Sequence, residues 1–202
     1  MSRIWCIAVA LCLLAASSAI EAQDVFVLPG SASSNTNVLV ASATNLSALG
    51  AFNAGAGSYQ ALAKPDGNKF YIISNSGVVT VVDAAFTNPQ QIAALPQSPT
   101  GAVITPDGRR LLVAAGRLYI FDTATDAPVV NGGVDVGSSA LDVAVSLDGS
   151  RAFVVGTQPN QFGLLTAVDL ATNTSLTQVV LPGLLTGISM GPNGFLYVTG
   201  LN

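Results

Sequence analysis

Aspartates recur along this chain at a spacing that could serve cation chemistry. Asp66, Asp107 and Asp148 each precede a glycine, and successive members are 41 residues apart. In a repeated fold, three equivalent carboxylates could form a ring of acids that binds a cation. An aspartate in an Asp-Gly turn also accepts hydrogen bonds from its own backbone and tolerates the turn conformation. We expect the turn role for all three.

Other reactive side chains are scarce. The sequence has no histidine, and Glu21 is its only glutamate. Histidine general bases, histidine-based zinc sites and histidine haem ligands are therefore excluded. Cys6 and Cys12 are the only cysteines and both lie near the N-terminus, in a segment that we expect to be removed. We predict no catalytic residues, no metal site and no cofactor.

Composition and charge also limit the possible partners. Charged residues make up 9% of the 202 residues, against about 25% in an average soluble domain, while 50% of the residues are hydrophobic. The net charge of −4 provides no basic surface to neutralise phosphates, which argues against a nucleic-acid partner. The length allows one domain or two small ones.

The N-terminus has the pattern of a secretory signal peptide. Arg3 is followed by the apolar run 4–16 and then by small residues up to Ala22. The apolar segment is shorter than the roughly 20 residues that a spanning helix needs. We predict a signal peptide at 1–22 and a mature protein that starts at Gln23, with no membrane span after cleavage. Its location would be secreted, periplasmic or on the cell surface.

A repeat of about 41 residues organises the rest of the chain. Turn motifs containing Asp-Gly or Asn-Gly recur at 65–67, 106–108, 147–149 and 192–194, each between two short apolar runs. Such a pattern predicts a β-hairpin. A third run ends at Asp83, Asp122 or Asp169, and a weaker fourth run closes each unit, in the third repeat at Val129 to Val134. Four strands in about 40 residues are typical of a β-propeller blade.

These elements resemble the YVTN-repeat family of bacterial β-propellers. The resemblance is carried by Val79 to Asp83, by Gly101 to Gly108, and by Leu196 to Gly200, which nearly spells the family's namesake motif. It covers about 23–202 and implies a propeller of the secreted or surface-layer type. Related propellers include lactonase-like enzymes, whose channel histidine and glutamate types are missing from the mature chain.

We therefore predict an all-β fold, a β-propeller of four-stranded antiparallel blades with about four blades present. The repeats lie near 23–58, 59–99, 100–140 and 141–185, with a partial repeat at 186–202. The first blade lacks its first strand. The segment Gly187 to Met190 could supply that strand and close four blades, but an extra strand follows it. We accordingly expect an incomplete part of a larger propeller.

A ligand site is expected where the first strands of the blades begin. Asp142 stands at such a start, and Gln60, Gly101 and Gly187 align with it. In propellers this position lies at the mouth of the central channel, the usual ligand site of the architecture. The longest insertion, 156–163, belongs to the same repeat as Asp142. The predicted ligand-binding residues are Asp142, Gln60, Arg117, Gln158, Asn160 and Gln161.

Two functions follow as expectations. The first is an exported, non-catalytic binding or surface scaffold, whose low charge suits a glycan or protein ligand. The second is the N-terminal part of a propeller enzyme, lactonase-like or a quinone-dependent dehydrogenase, with its active-site residues beyond Asn202.

Overall fold

The computed structural model describes residues 9–10, 24–27, 37–42, 45–159 and 162–201. All regular structure in this part of the chain is β-strand, and no helix long and apolar enough to cross a membrane occurs in it. The chain divides into two compact units, Met1–Ala94 and Leu95–Asn202.

The first unit contains two four-stranded antiparallel sheets. The first sheet consists of β1 (Val9–Ala10), β2 (Asp24–Val27), β3 (Asn37–Ser42) and β4 (Ala48–Asn53). The second consists of β5 (Ser58–Ala63), β6 (Lys69–Ser74), β7 (Val78–Asp83) and β8 (Gln90–Ala94).

The second unit contains two further four-stranded sheets and a hairpin. The third sheet is β9 (Gly101–Ile104), β10 (Arg110–Ala115), β11 (Arg117–Asp122) and β12 (Ala127–Pro128). The fourth is β13 (Ser139–Val145), β14 (Arg151–Thr157), β15 (Gly163–Asp169) and β16 (Thr174–Leu181). The fifth sheet pairs β17 (Leu184–Met190) with β18 (Leu196–Leu201).

The predicted fold class is confirmed, because each complete repeat forms one four-stranded antiparallel sheet joined in chain order. The central strands read as continuous apolar runs because both of their faces are covered. Leu112 in β10 and Ile120 in β11 are fully buried, and they share one core with Val154 of the next sheet. In the first unit, Val38 of β3 packs in the same core as Ile72 of β6. The apolar faces are therefore buried between successive sheets within each unit.

The fourth strand of the third sheet differs from its predicted position at Val129 to Val134. The strand covers only Ala127–Pro128. Two consecutive glycines, Gly132 and Gly133, have φ of 76° and 72°, a conformation that a regular strand does not contain. The chain then returns to β11 through a single bridge between Leu118 and Val134.

The first sheet has a strand at the edge that was expected to be empty in the mature chain. This strand, β1, pairs with β2 and lies within the predicted signal peptide, 1–22, so the expectation for the mature chain stays a prediction. An exposed strand edge leaves backbone groups unpaired, and an apolar extended segment can satisfy them. The segment Gly187 to Met190 belongs to β17 of the second unit, where it pairs with β18. Of the predicted signal peptide, 1–22, only Val9 and Ala10 are described, so its removal stays a prediction.

Candidate functional site

The start of the first strand in each repeat is a structurally equivalent position. Four residues that the sequence aligned each oppose one residue of the second strand, in the pairs Gln60–Ile73, Gly101–Ala114, Asp142–Val155 and Gly187–Thr199. Three of these positions directly follow a β-bulge, a feature that reorients side chains and is common beside active sites. The strand register is the same for Gln60, Gly101 and Asp142, while the turn between β17 and β18 is one residue shorter, so Gly187 opposes Thr199 with an offset smaller by one.

Asp142 is the only acid among the four, and its carboxylate bridges two sheets. Asp142 Oδ1 accepts a hydrogen bond from the Val143 backbone N–H at 2.9 Å. Oδ2 accepts one from the Ile188 N–H of β17 at 3.0 Å. The side chain thereby connects the fourth sheet with the fifth.

One glycine makes room for this carboxylate, and a second lies beside it. A Cβ placed on Gly101 would lie 2.2 Å from Asp142 Oδ1 and clash with it, whereas one on Gly187 would lie 3.5 Å from Oδ2, an ordinary contact distance. The preceding and the following repeat thus carry no side chain at the position that Asp142 occupies in its own repeat. The Asp142 carboxylate therefore lies beside the equivalent positions of the preceding and the following repeat.

Burial dominates the electrostatics of Asp142. Loss of solvent raises the pKa of its carboxyl group above the ordinary aspartate value, and the N–H groups of Ile188 and Val143 oppose that rise. A partly buried acid with a raised pKa is a recognised mark of functional sites, although structural networks produce it as well.

Arg117 begins β11 and interacts within its own repeat. Its Nη1 lies 3.3 Å from Asp135 Oδ2, and its Nη2 donates to the Gly133 carbonyl at 3.2 Å. Its Nε is buried and has no hydrogen-bond partner. The sequence did not connect Arg117 with Asp135, because the irregular segment between them was predicted to be a strand.

A backbone bridge nevertheless brings the start of β11 close to the start of β13. Gly116 and Ala140 exchange two hydrogen bonds, with N···O distances of 3.2 and 3.1 Å. The Gln97 side chain lies against Gly116, where a Cβ would be 2.0 Å from its Oε1. The Thr100 hydroxyl donates to the Leu141 carbonyl. Sequence reasoning missed Gln97 and Thr100, which have no recurring motif.

We call this group the polar rim of the second unit: Gln97, Thr100, Arg117, Asp135, Asp142 and the Gly116–Ala140 bridge.

The remaining predicted ligand residues have three different outcomes. Gln60 lies in β5 of the first unit, so it is described apart from the rim. The Gln158 N–H donates to the Phe162 carbonyl at 3.0 Å, which closes the loop between β14 and β15. Asn160 and Gln161 lie outside the described residues.

The turn role predicted for the Asp-Gly aspartates is confirmed. Each carboxylate accepts the N–H of the second residue after it, at 3.1 Å for Asp66, 3.0 Å for Asp107 and 3.0 Å for Asp148. Neighbouring groups also lower their pKa values: the Lys64 ammonium acts on Asp66 and the Thr105 hydroxyl on Asp107. Hydrogen bonds from the Ser146 hydroxyl and from the Ser150 N–H and hydroxyl together lower the pKa of Asp148 to about 2. These carboxylates are committed to their own turns.

The aspartates that end the third strands cap turns in the same way. Asp122 Oδ1 accepts the N–H groups of Ala124 and Thr125, both at 2.9 Å. Asp169 Oδ1 accepts those of Ala171 and Thr172, both at 2.8 Å. Within the described residues, no group of three or more His, Cys, Asp or Glu side chains could hold a metal ion.

Sequence reasoning missed a set of side chains that connect neighbouring sheets. Thr80 and Thr166 each lie three residues before the aspartate that ends the third strand, and both are buried. Thr80 donates to the Ala54 carbonyl at 3.1 Å, and Thr166 donates to the Val136 carbonyl at 2.8 Å. The spacing Thr-x-x-Asp was a signal that could have identified them.

Comparisons with known proteins establish the fold. No family model and no curated protein matches the chain. Among solved structures the chain is similar to hydrazine synthase of Kuenenia stuttgartiensis, a β-propeller-containing protein, with a TM-score of 0.74 and 20% sequence identity. The match covers 85% of this chain and 50% of that one, so the chain spans about half the length of the structure it matches. At this identity the likeness concerns the fold alone.

Proposed function

We propose that this chain is an exported, non-catalytic β-propeller that works as a binding or surface scaffold. Its ligand would be neutral and rich in hydroxyl groups, such as a glycan, and would bind at the polar rim of the second unit. The observation that carries the proposal is that the charged side chains of the rim are already engaged with the protein.

The contacts of the rim support this choice. Arg117 is paired with Asp135 and donates to a backbone carbonyl, and Asp142 accepts two backbone N–H groups. Salt-bridged and hydrogen-bonded charges offer little net attraction to an ionic ligand. Uncharged groups such as the Gln97 amide and the backbone of the rim can instead exchange hydrogen bonds with hydroxyl groups.

We further propose that the chain is related to the YVTN-repeat propellers and is exported. The basis is the order of its motifs and the pattern of its first 22 residues. Val9 and Ala10 pair with β2 in the structure, so removal of 1–22 would leave the β2 edge open. N-terminal sequencing of the protein recovered from the extracytoplasmic fraction should give Gln23. A protein retained in the cytoplasm with an intact N-terminus would contradict export.

The ligand class can be tested with immobilised glycans. The purified protein should bind neutral glycans and show no preference for sulfated or sialylated ones. Replacing Gln97 with alanine should weaken binding at least tenfold, while replacing the exposed Gln90, which lies in the other unit, should have no effect. The proposal is refuted if neutral glycans do not bind, if both variants bind equally, or if the protein itself hydrolyses a lactone.

A further inference from the structure

Five dipeptides in this chain place glycine directly after an aspartate or an asparagine. Four lie in the hairpin turns and the fifth lies in the irregular segment between β12 and β13; they are Asp66-Gly67, Asp107-Gly108, Asp148-Gly149, Asn193-Gly194 and Asn131-Gly132. Glycine has no side chain, so its backbone nitrogen is unhindered and can attack the side-chain carbonyl carbon of the residue before it. An asparagine loses ammonia in this attack, which makes the two Asn-Gly sequences the candidates for deamidation.

In the hairpin turns the attacking nitrogen is occupied. The glycine is the fourth residue of each turn, and its N–H donates to the carbonyl of the first residue at 2.8 to 3.0 Å. In the last of these turns the Gly194 N–H donates to the Gly191 carbonyl at 3.0 Å. The Asn193 side chain is held as well, since Oδ1 accepts the Phe195 N–H and Nδ2 donates to the Tyr197 hydroxyl, both at 3.1 Å. The turn therefore hinders reaction at Asn193.

The fifth dipeptide lies one position earlier in its turn. The Val130 carbonyl accepts the Gly133 N–H at 3.2 Å, so Asn131 and Gly132 are the second and third residues of this turn. Gly132 has φ of 76° and Asn131 is not among the residues with positive φ, which is the pattern of a type II turn. The hydrogen bond of such a turn joins its first and fourth residues, so the third N–H takes no part in it. Within the described part of the chain, neither the Gly132 N–H nor the Asn131 side chain has a hydrogen-bond partner.

Space and solvent are also available at this turn. Asn131 and Gly132 are both exposed, and a Cβ placed on Gly132 would have nothing within 4 Å. The Asn131 side chain can therefore rotate towards the Gly132 nitrogen without displacing a packed group, and water can reach the product.

We propose that Asn131 is a site of spontaneous deamidation in the folded protein. The Gly132 nitrogen loses its proton and attacks Asn131 Cγ, the Cγ–Nδ2 bond breaks, and ammonia leaves with that proton, so that a cyclic succinimide forms. Water then opens the ring at either carbonyl and leaves aspartate or isoaspartate at position 131. The net reaction consumes water and releases ammonia, and it needs no other reactant. This proposal is independent of the ligand proposed for the polar rim.

The modification lies directly before contacts that join this segment to β11. The Gly133 carbonyl accepts a hydrogen bond from Arg117 Nη2 at 3.2 Å, and Val134 exchanges two backbone hydrogen bonds with Leu118 at 2.7 and 3.1 Å. Isoaspartate inserts an additional carbon atom into the main chain, and both products add a negative charge. Deamidation at position 131 thus lengthens or charges the chain directly ahead of a contact of the polar rim.

Incubation of the full chain in mildly alkaline buffer, followed by trypsin digestion and mass spectrometry, tests the proposal. Cleavage after Arg117 and Arg151 gives the peptide 118–151, whose only asparagine is Asn131, and the peptide 152–202, which contains Asn193. Fragment spectra locate the mass change from amide to acid. In the folded protein Asn131 should convert at least about tenfold faster than Asn193, because Asn193 must first lose the hydrogen bonds of its turn.

Two controls separate the effect of the fold from that of the sequence. In guanidinium chloride, which removes both turns, the two Asn-Gly sequences should convert at similar rates. The variant Asn131→Gln, at an exposed position, has a longer amide side chain that cyclises much more slowly, so its peptide 118–151 should keep its mass. The proposal is overturned if Asn193 converts as fast as Asn131 in the folded protein, or if Asn131 converts only in guanidinium chloride. It is also overturned if the peptide 118–151 of the variant changes mass at the rate of the wild type.

Discussion

Replacing Gly101 with alanine tests whether Asp142 and the glycines around it form one packed unit. A Cβ at Gly101 would lie 2.2 Å from Asp142 Oδ1 and 3.0 Å from Asp142 Cα. Gly101 is not among the glycines with positive φ, so alanine meets no backbone penalty there. Any loss of stability must therefore come from the steric conflict with Asp142.

The size of the effect follows from two contributions. Adding a methyl group to a filled site costs about 1–3 kcal/mol. If the carboxylate moves aside, the Ile188 N–H loses its acceptor, which costs about 1 kcal/mol more. We expect the free energy of unfolding to fall by about 2 kcal/mol or more. In an Asp142→Ala background the carboxylate is gone, so the same substitution should cost at least about 1 kcal/mol less, within the range for contacting residues.

Urea unfolding followed by far-UV circular dichroism gives the free energy of unfolding of the wild type, the two single variants and the double variant. Gly50→Ala is the matched control, since Gly50 also lies in a strand, has no positive φ, and has nothing within 4 Å of the added Cβ. The control should change stability by less than about 0.5 kcal/mol. If Gly101→Ala behaves like the control, or if its cost is the same in both backgrounds, the packing argument is refuted.

Three further substitutions test the electrostatics. Because burial raises the pKa of Asp142, its contribution to stability is full below the unfolded pKa and is lost as the pH rises through the folded pKa. Asp142→Asn should remove this pH dependence, and because its NH2 cannot accept one of the two backbone N–H groups it should also lower the free energy of unfolding at low pH by about 1 kcal/mol, measured by urea titration at several pH values. Arg110→Met should lower the free energy of unfolding by about 1–2 kcal/mol, because Arg110 Nη1 donates to the Leu170 carbonyl of the next sheet, whereas an unchanged urea midpoint would show that this contact contributes nothing. Asp148 has a pKa of about 2, so its contribution is present above about 3.8 and is lost as the pH falls towards 2; Asp148→Asn should flatten the melting temperature over that window, and an identical acid profile would contradict this assignment.

Local features were the ones that the sequence could predict. The turn at Asp107 needs only its own neighbours: the carboxylate accepts the Arg109 N–H, and Gly108 adopts φ of 70°. These requirements are met within four residues, so the spacing of the Asp-Gly motifs was sufficient to place the hairpins. The same locality explains why the register around Asp142 could be predicted from alignment with the other repeats.

Contacts between distant residues could not be predicted in this way. Arg117 pairs with Asp135 because the chain between them leaves the sheet at Gly132 and Gly133 and returns beside β11. The apolar residues of 129–134 have a strand-like pattern, and nothing in their order shows that two glycines with positive φ interrupt the ladder. The Ile188 N–H that Asp142 accepts lies 46 residues away, in another repeat.

Two physical causes act in opposite directions on the aspartates whose pKa values are shifted. Asp107 and Asp148 gain hydrogen bonds from nearby donors in their turns while remaining near solvent, so their pKa values fall. Asp142 also accepts two backbone N–H groups, yet its pKa rises because it is enclosed between Gly101 and Gly187. All of these carboxylates accept hydrogen bonds, so the opposite direction of the Asp142 pKa shift comes from its burial. In this repeat, an acid at the start of the first strand requires glycine at the same position of the preceding repeat and a backbone donor from the following one, so Asp142 is explained by three repeats together.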